Sequence, residues 1–257
     1  MKKTFLTLFL LVICFSGLQA QKKSVFYIEA GAAYSTFQDT KYSDVIYSGF
    51  GGKYGIGYLK ESPKNIWGIN LEIIAVNEKP STHNGGSSPT FNVVLQTMYL
   101  RKIKDQLYVG ATWDVMDVYF KTFEDLNKDR HFVSGSTLWA SGIYSYKKFR
   151  FGLDLGLVSY FKEAPGFASI YPQQIVEKGN VNPQDDKQGT VLDFRNYQLK
   201  TIPNPVQVRT SIRYQLTKRF SIAYKWRLRK IKQIKNYPST YGIHSLSVRY
   251  NITNKSK

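Results

Sequence analysis

The chain contains three histidines, His83, His131 and His244, and these are the first candidates for proton transfer or nucleophile activation. His244 is followed by Ser245. A His–Ser–acid site requires its members within hydrogen-bond reach of one another. In an extended segment adjacent residues point to opposite faces, so this pair cannot serve one site. Asp129-Arg130-His131 puts an acid near an imidazole, but in a polar stretch that reads as a solvated loop cluster. No Gly-rich phosphate loop, Cys/His metal spacing or nucleophile elbow occurs. The expectation is no catalytic residue, no metal site and no cofactor.

What remains is a set of charged residues at alternating positions inside apolar-looking segments, and their meaning depends on the elements that carry them. The chain has 257 residues, 36 basic against 18 acidic, for a formal charge of +18. Aromatics reach 15%, with 16 Phe, 19 Tyr and 4 Trp, although mean hydropathy is −0.33. That aromatic content excludes a disordered basic tail. No stretch of about 18 apolar residues exists, which excludes membrane helices.

Residues 1–20 read as a secretory signal peptide: Lys2 and Lys3, an apolar run from Phe5 to Phe15, and small residues leading to Ala20. Cys14 is the chain's single cysteine and lies inside this segment behind Ile13, where a lipoprotein would carry a small residue. Loss of Lys2 and Lys3 leaves 34 basic residues against 18 acidic, or +16. Export removes nucleic acid as the partner of this charge. Without disulfides, the fold must close by a large core or a closed barrel.

From residue 25 the dominant signal is period-2 alternation. It predicts ten strands, over 25–35, 47–59, 66–77, 91–102, 107–119, 132–146, 149–161, 206–216, 219–230 and 241–252, the sixth ambiguous in phase. The links 61–65, 103–106, 146–149 and 216–219 are tight. They alternate without exception with the longer polar links 36–46, 78–90, 120–131, 162–205 and 231–240. Even strand number with short turns at one end and long loops at the other predicts a transmembrane, antiparallel, up-and-down β-barrel, all-β, occupying 21–257. A hairpin over 168–177 and 190–200 could raise the count to twelve. Aromatics collect at strand ends: Tyr58, Trp67, Tyr99, Phe149, Tyr214, Phe220 and Tyr250 on the turn side, Tyr34, Phe50, Phe91, Tyr119 and Phe161 on the loop side. Two such belts fit a bilayer's two interfaces.

As a pattern over residues 24–252, the chain resembles a small bacterial outer-membrane β-barrel protein of the general outer-membrane-protein superfamily. The ending LQAQ at 18–21 and the Tyr/Lys-rich strands look like those of Bacteroidota. The resemblance implies residence in the bacterial outer membrane, contact with its lipids, and a monomer; it assigns no activity. Such barrels often end on an aromatic, whereas here Tyr250 is followed by NITNKSK. Outer-membrane lipid hydrolases use His and Ser, and ten-stranded outer-membrane proteases use paired acids with an Asp–His pair near the loops. Here His244 and Asp129-Arg130-His131 echo these only superficially.

With apolar faces toward lipid, the opposite faces place Glu29, Lys53, Asn70, Glu72, Gln96, Asp114, Arg150 and Asp154 in the bore from the first seven strands. The last three contribute Arg209, Arg213, Lys225, Arg227, Arg229 and Arg249. Strand ten closes beside strand one, so Arg249 is expected to reach Glu29. Arg213 and Lys225 are expected to bridge toward Glu72, Asp114 or Asp154. Buried charges must be paired, which predicts a salt-bridged lumen in a non-enzymatic structural or surface-interaction protein. An arginine-rich pore for small anions is the alternative, and a lipid-modifying hydrolase the third reading. The link 162–205, far longer than ordinary connections, is the expected site for a protein partner. Lys230, Lys232 and Lys235 at the outer rim suit the phosphates of lipopolysaccharide.

Overall fold

A computed structural model describes residues 23–40, 45–82, 86–123, 129–165, 197–234 and 237–252. The signal-peptide reading of residues 1–20, His83, and most of the link 162–205 lie outside them. The strands are β1 (Lys23–Asp39), β2 (Tyr47–Glu61), β3 (Asn65–Pro80), β4 (Ser88–Lys104), β5 (Leu107–Phe123), β6 (Asp129–Tyr146), β7 (Phe149–Pro165), β8 (Gln198–Thr201), β9 (Val206–Gln215), β10 (Phe220–Ile234) and β11 (Tyr237–Ile252). Sequential neighbours pair antiparallel, and β11 returns to β1, with Glu29 opposite Arg249 and Tyr34 opposite His244. The sheet is therefore closed, which leaves no open edge for water to satisfy.

Ten places make up the wall, not twelve. Strand β8 pairs with the outer part of β7 (Phe161 opposite Gln198), and β9 pairs with the inner part (Leu155 opposite Val208). They share one place in the ring, interrupted by Ile202-Pro203-Asn204-Pro205, where two prolines cannot donate to the ladder. Asn204 substitutes for the missing ladder with its side chain: Nδ2 donates to the Lys232 carbonyl at 2.8 Å and Oδ1 accepts from the Lys232 amide at 2.9 Å.

The faces are inverted relative to a water-soluble barrel. Tyr54 is 59% and Leu246 57% exposed on the outer wall, while Lys53 inside is fully buried. Such a surface is stable only against lipid. The turn-side belt stands as expected, with cross-strand ring pairs Phe26–Tyr58 at 4.8 Å, Phe149–Tyr214 at 4.8 Å and Phe220–Tyr250 at 5.1 Å.

The loop-side belt departs from the expectation at two places. Tyr119 and Phe161 are buried inside the barrel. Each lies just beyond a register shift, one between Asp114 and Asp117 on β5, the other opposite Leu138/Trp139 at Leu157 on β7. One extra residue turns every following side chain to the other face, so Val115 and Met116 both face out and Tyr160 takes the outward place. Because the chain's single cysteine, Cys14, precedes every strand, the flip is directly testable. A single cysteine at Tyr160 should react with a membrane-permeant thiol reagent in the folded protein, while one at Phe161 should react only after unfolding; equal reactivity would contradict the bulge.

Strands also run further outward than the alternation suggested, through Asp39, Pro80 and Phe123, into segments that read as polar links. There the pattern reverses. Phe37, Tyr47, Tyr119, Phe123, Val133, Phe161, Ile231 and Tyr241 form an inward core, while Asn77 and Lys79 face outward and exposed. Above the belt the same ring behaves as a water-exposed barrel, which is why its sequence looked like loop.

Candidate functional site

Among the described residues charged side chains converge in the bore, which is organised in levels. Nearest the turns, Tyr27, Leu59, Ile66 and Leu100 form a small apolar cluster. Above it, Glu29 accepts from Lys53 at 2.7 Å, from Arg249 Nη2 at 2.8 Å and from Ser247 at 2.8 Å. Lys53 also reaches Glu72 at 3.1 Å, and Lys225 donates to Glu72 at 2.8 Å. The Arg249 guanidinium lies 3.6 Å over the Tyr27 ring, and Tyr27 donates to Asn70 at 3.0 Å.

The middle level is centred on Asp114. Its carboxylate accepts from Gln96 (3.2 Å), Trp139 Nε1 (2.9 Å), Arg209 (2.9 Å) and Arg227 (3.2 Å). Arg209 also holds Asp154 at 3.1 Å and stacks 3.8 Å over Trp139. Asp117 accepts from Asn92 (2.9 Å), Arg227 (3.1 Å) and Arg229. Asp114 and Asp117 face one interior only because the bulge lies between them.

The outer level sits within the aromatic core. Glu78 accepts from Lys121 at 2.5 Å and Ser35 at 2.5 Å, all three buried. The Lys121 ammonium lies 4.4 Å from the Tyr47 ring centre and 5.2 Å from that of Phe123. His131 Nδ1 stands 3.1 Å from Asp39 Oδ2, with its ring 4.9 Å from Phe37.

Of the residues singled out in sequence, Glu29, Lys53, Glu72, Lys225 and Arg249 are together in one cluster, and Asp114, Asp154, Arg209 and Arg227 in a second. Arg213 is the exception: it forms no ion pair among the described residues, Arg209 and Arg227 taking Asp114 and Asp154 while Lys53 and Lys225 take Glu72. Arg150 pairs with Glu61 at the turn end. Sequence reasoning missed Asp117, Glu78 and Lys121. The signal was available in the adjacent apolar pair Val115-Met116, after which Asp117, Tyr119, Lys121 and Phe123 keep a new phase.

His244 and Ser245 face opposite sides, as extended geometry demands. His244 is exposed on the outer wall with Nδ1 2.6 Å from the Tyr224 hydroxyl, bordered by Tyr34 and Trp226; Ser245 is buried in the bore. His131 is sealed inside, and the side chains of Asp129 and Arg130 lie outside the described residues. Among the described residues no group of His, Cys, Asp or Glu side chains has a metal-binding arrangement.

A closed ring with a lipid-facing apolar wall, aromatic belts and a charge-filled bore is a transmembrane β-barrel. No family model matches the chain, and no curated protein matches it in sequence. Solved barrels are similar at a distance. The translocator domain of the autotransporter NalP from Neisseria meningitidis is 10% identical, with 98% of this chain and 95% of that chain covered and a TM-score of 0.48. An outer membrane channel from Pseudomonas putida F1 is 10% identical over 92% of this chain and 98% of that one, with a TM-score of 0.47. The outer membrane protease OmpT from Escherichia coli is 9% identical over 92% and 99%, with a TM-score of 0.45. A likeness at this level does not extend to activity; the architecture stands on this chain's own strand pairing.

Proposed function

We propose that this barrel is a non-enzymatic, monomeric outer-membrane protein with a closed bore, acting through its outer rim in a structural or surface-interaction role. The observation that carries the reading is the aromatic level around Lys121 and Glu78, which fills the loop end of the bore above two levels of ion pairs. A solute entering from outside would have to displace buried rings and then separate paired charges. Both disfavour the anion-channel alternative. The hydrolase alternative is disfavoured by the surroundings of His244, where tyrosine and tryptophan rings stand in place of an acid and a nucleophile.

On this reading the parts free to engage partners are the external links, the longest being 162–205, with Lys230 and Lys232 exposed just outside the belt and suited to lipopolysaccharide phosphates. Replacing residues 167–195 by a short Gly/Ser link should leave a folded barrel in the outer membrane and abolish the crosslinks formed from this region in intact cells. Unchanged crosslinks, or hydrolysis of labelled lipid by the purified protein, would overturn the reading.

A further inference from the structure

Charge counting within the membrane-level bore points to a site of a different kind. Glu29 and Glu72 between them meet Lys53, Lys225 and Arg249, three cations to two carboxylates. Asp114, Asp117 and Asp154 meet Arg209, Arg227 and Arg229, three to three. Arg150 meets Glu61, and Arg213 meets none among the described residues. Two positive charges are left over, both on the turn side of the Asp114 level.

The surplus borders a cavity of about 170 Å³ inside the bore, to which Arg150, Arg209, Arg213, Lys225, Arg227 and Arg249 all contribute. Three buried guanidinium N–H groups on this wall find no acceptor among the described residues: Arg213 Nε, Arg209 Nη2 and Arg227 Nε. Buried donors left unmet are costly. The barrel itself shows how such a place is normally satisfied. Arg209 and Arg227 are directly opposite across β9 and β10, and the Asp114 carboxylate bridges them. Arg150 and Arg213 are likewise directly opposite across β7 and β9, yet no carboxylate joins the two. Like charges in that position repel. The Arg150 side chain is 37% exposed, so the cavity is approached from the turn end, whereas the Asp114 and aromatic levels close it above.

We propose that this cavity is a blind binding site, entered from the turn side, for a small phosphate: the free dianion or a compact phosphate monoester. Its charge matches the surplus of two, and its oxygens supply the acceptors that the Arg213, Arg209 and Arg227 donors lack. Guanidinium forks suit a tetrahedral oxyanion better than a spherical halide. Thr112, Ser141 and Asn70 add neutral hydrogen-bonding groups to its lining, beside the carboxylates of Glu72 and Asp154, which Lys225 and Arg209 already hold. The site binds; it does not conduct.

Calorimetric titration of the full mature chain in detergent at low ionic strength, with inorganic phosphate and separately with glycerol 3-phosphate, tests this independently of conductance or of any partner at the loops. Saturable one-to-one binding is expected for at least one probe, and which one binds tells the free ion from the ester. Arg213→Gln should weaken binding about tenfold or more, since a charge-assisted contact is lost. In phosphate-free buffer the same variant should unfold no earlier than wild type, because it removes an uncompensated buried cation. Ser211→Asp, whose carboxylate would enter the cavity beside Gly152, should abolish phosphate binding in a barrel that still folds. Absence of saturable binding by both probes would overturn the proposal. So would equal affinity in wild type and Arg213→Gln, or a Ser211→Asp barrel that binds phosphate as wild type does.

Discussion

Asp114→Ala should be the most damaging single substitution in the barrel. The carboxylate takes hydrogen bonds from Gln96, Trp139, Arg209 and Arg227. Its removal leaves Arg227 leaning on Asp117, already engaged with Asn92 and Arg229, and Arg209 on the partly exposed Asp154. Removing one partner of a buried ion pair typically costs about 3–5 kcal/mol, and the expected loss is in that range. Asp114→Asn should recover little: the guanidinium groups still face no charge, and the amide nitrogen confronts the Trp139 N–H. Pairing Asp114→Asn with Arg209→Gln should return part of the loss, with a coupling of roughly 1–3 kcal/mol. Urea unfolding of protein folded into lipid vesicles, followed by tryptophan fluorescence, measures each term. A loss under about 1 kcal/mol would mean that water reaches this level and replaces the carboxylate.

A second large effect belongs to the outer level and has an unusual signature. Lys121→Met strands the Glu78 carboxylate among Phe37, Tyr47 and Phe123 with Ser35 as its remaining donor, and should also cost about 3–5 kcal/mol. Glu78→Leu alone takes the carboxylate from the Lys121 ammonium, a loss softened by the aromatic faces around it. The double variant Glu78→Leu/Lys121→Met replaces the pair by apolar side chains in an apolar site and should come back to within about 1 kcal/mol of wild type, or exceed it. The same unfolding assay decides. Simple addition of the two single losses would show that the pair is solvated and that the loop end is not a dry plug.

The levels of the bore also show why some of this architecture could be read from the residues and some could not. Between the belts the rule is uniform, apolar out and polar in, so alternation alone located Glu29, Glu72, Asp114, Arg209, Lys225 and Arg249 on the inner face. Closure puts Arg249 beside Glu29 because β1 begins and β11 ends at the turn end. Three things escaped. A bulge carries no compositional mark beyond two adjacent outward apolar residues, so Tyr119 and Phe161 were assigned to the wrong face. Above the membrane the solvent changes from lipid to water, and the same strands invert their pattern. Thus 36–39, 78–80 and 120–123 looked like loops while they were building the core around Phe37 and Lys121. Finally, partner choice among many charges depends on tilt and side-chain reach. Arg213 is expected to find an acid, but Arg209 and Arg227 hold Asp114, and Arg213 pairs with none among the described residues.

The combination of high aromatic content with low mean hydropathy follows from the same division. Rings face lipid at the belts and each other in the outer plug, while the polar residues that depress the average line the bore and the water-exposed upper wall. Positive charge, in turn, concentrates inside the last three strands, where it is largely neutralised by acids from the first seven.

On the proposed reading no continuous aqueous path crosses the barrel. Single-channel recording of the purified mature protein in planar bilayers tests it most directly. The closed bore predicts a flat current at the level of the bare bilayer across applied voltages of either sign. Discrete, anion-selective conductance steps that disappear when Arg213 and Lys225 are neutralised would contradict it and make the barrel a channel.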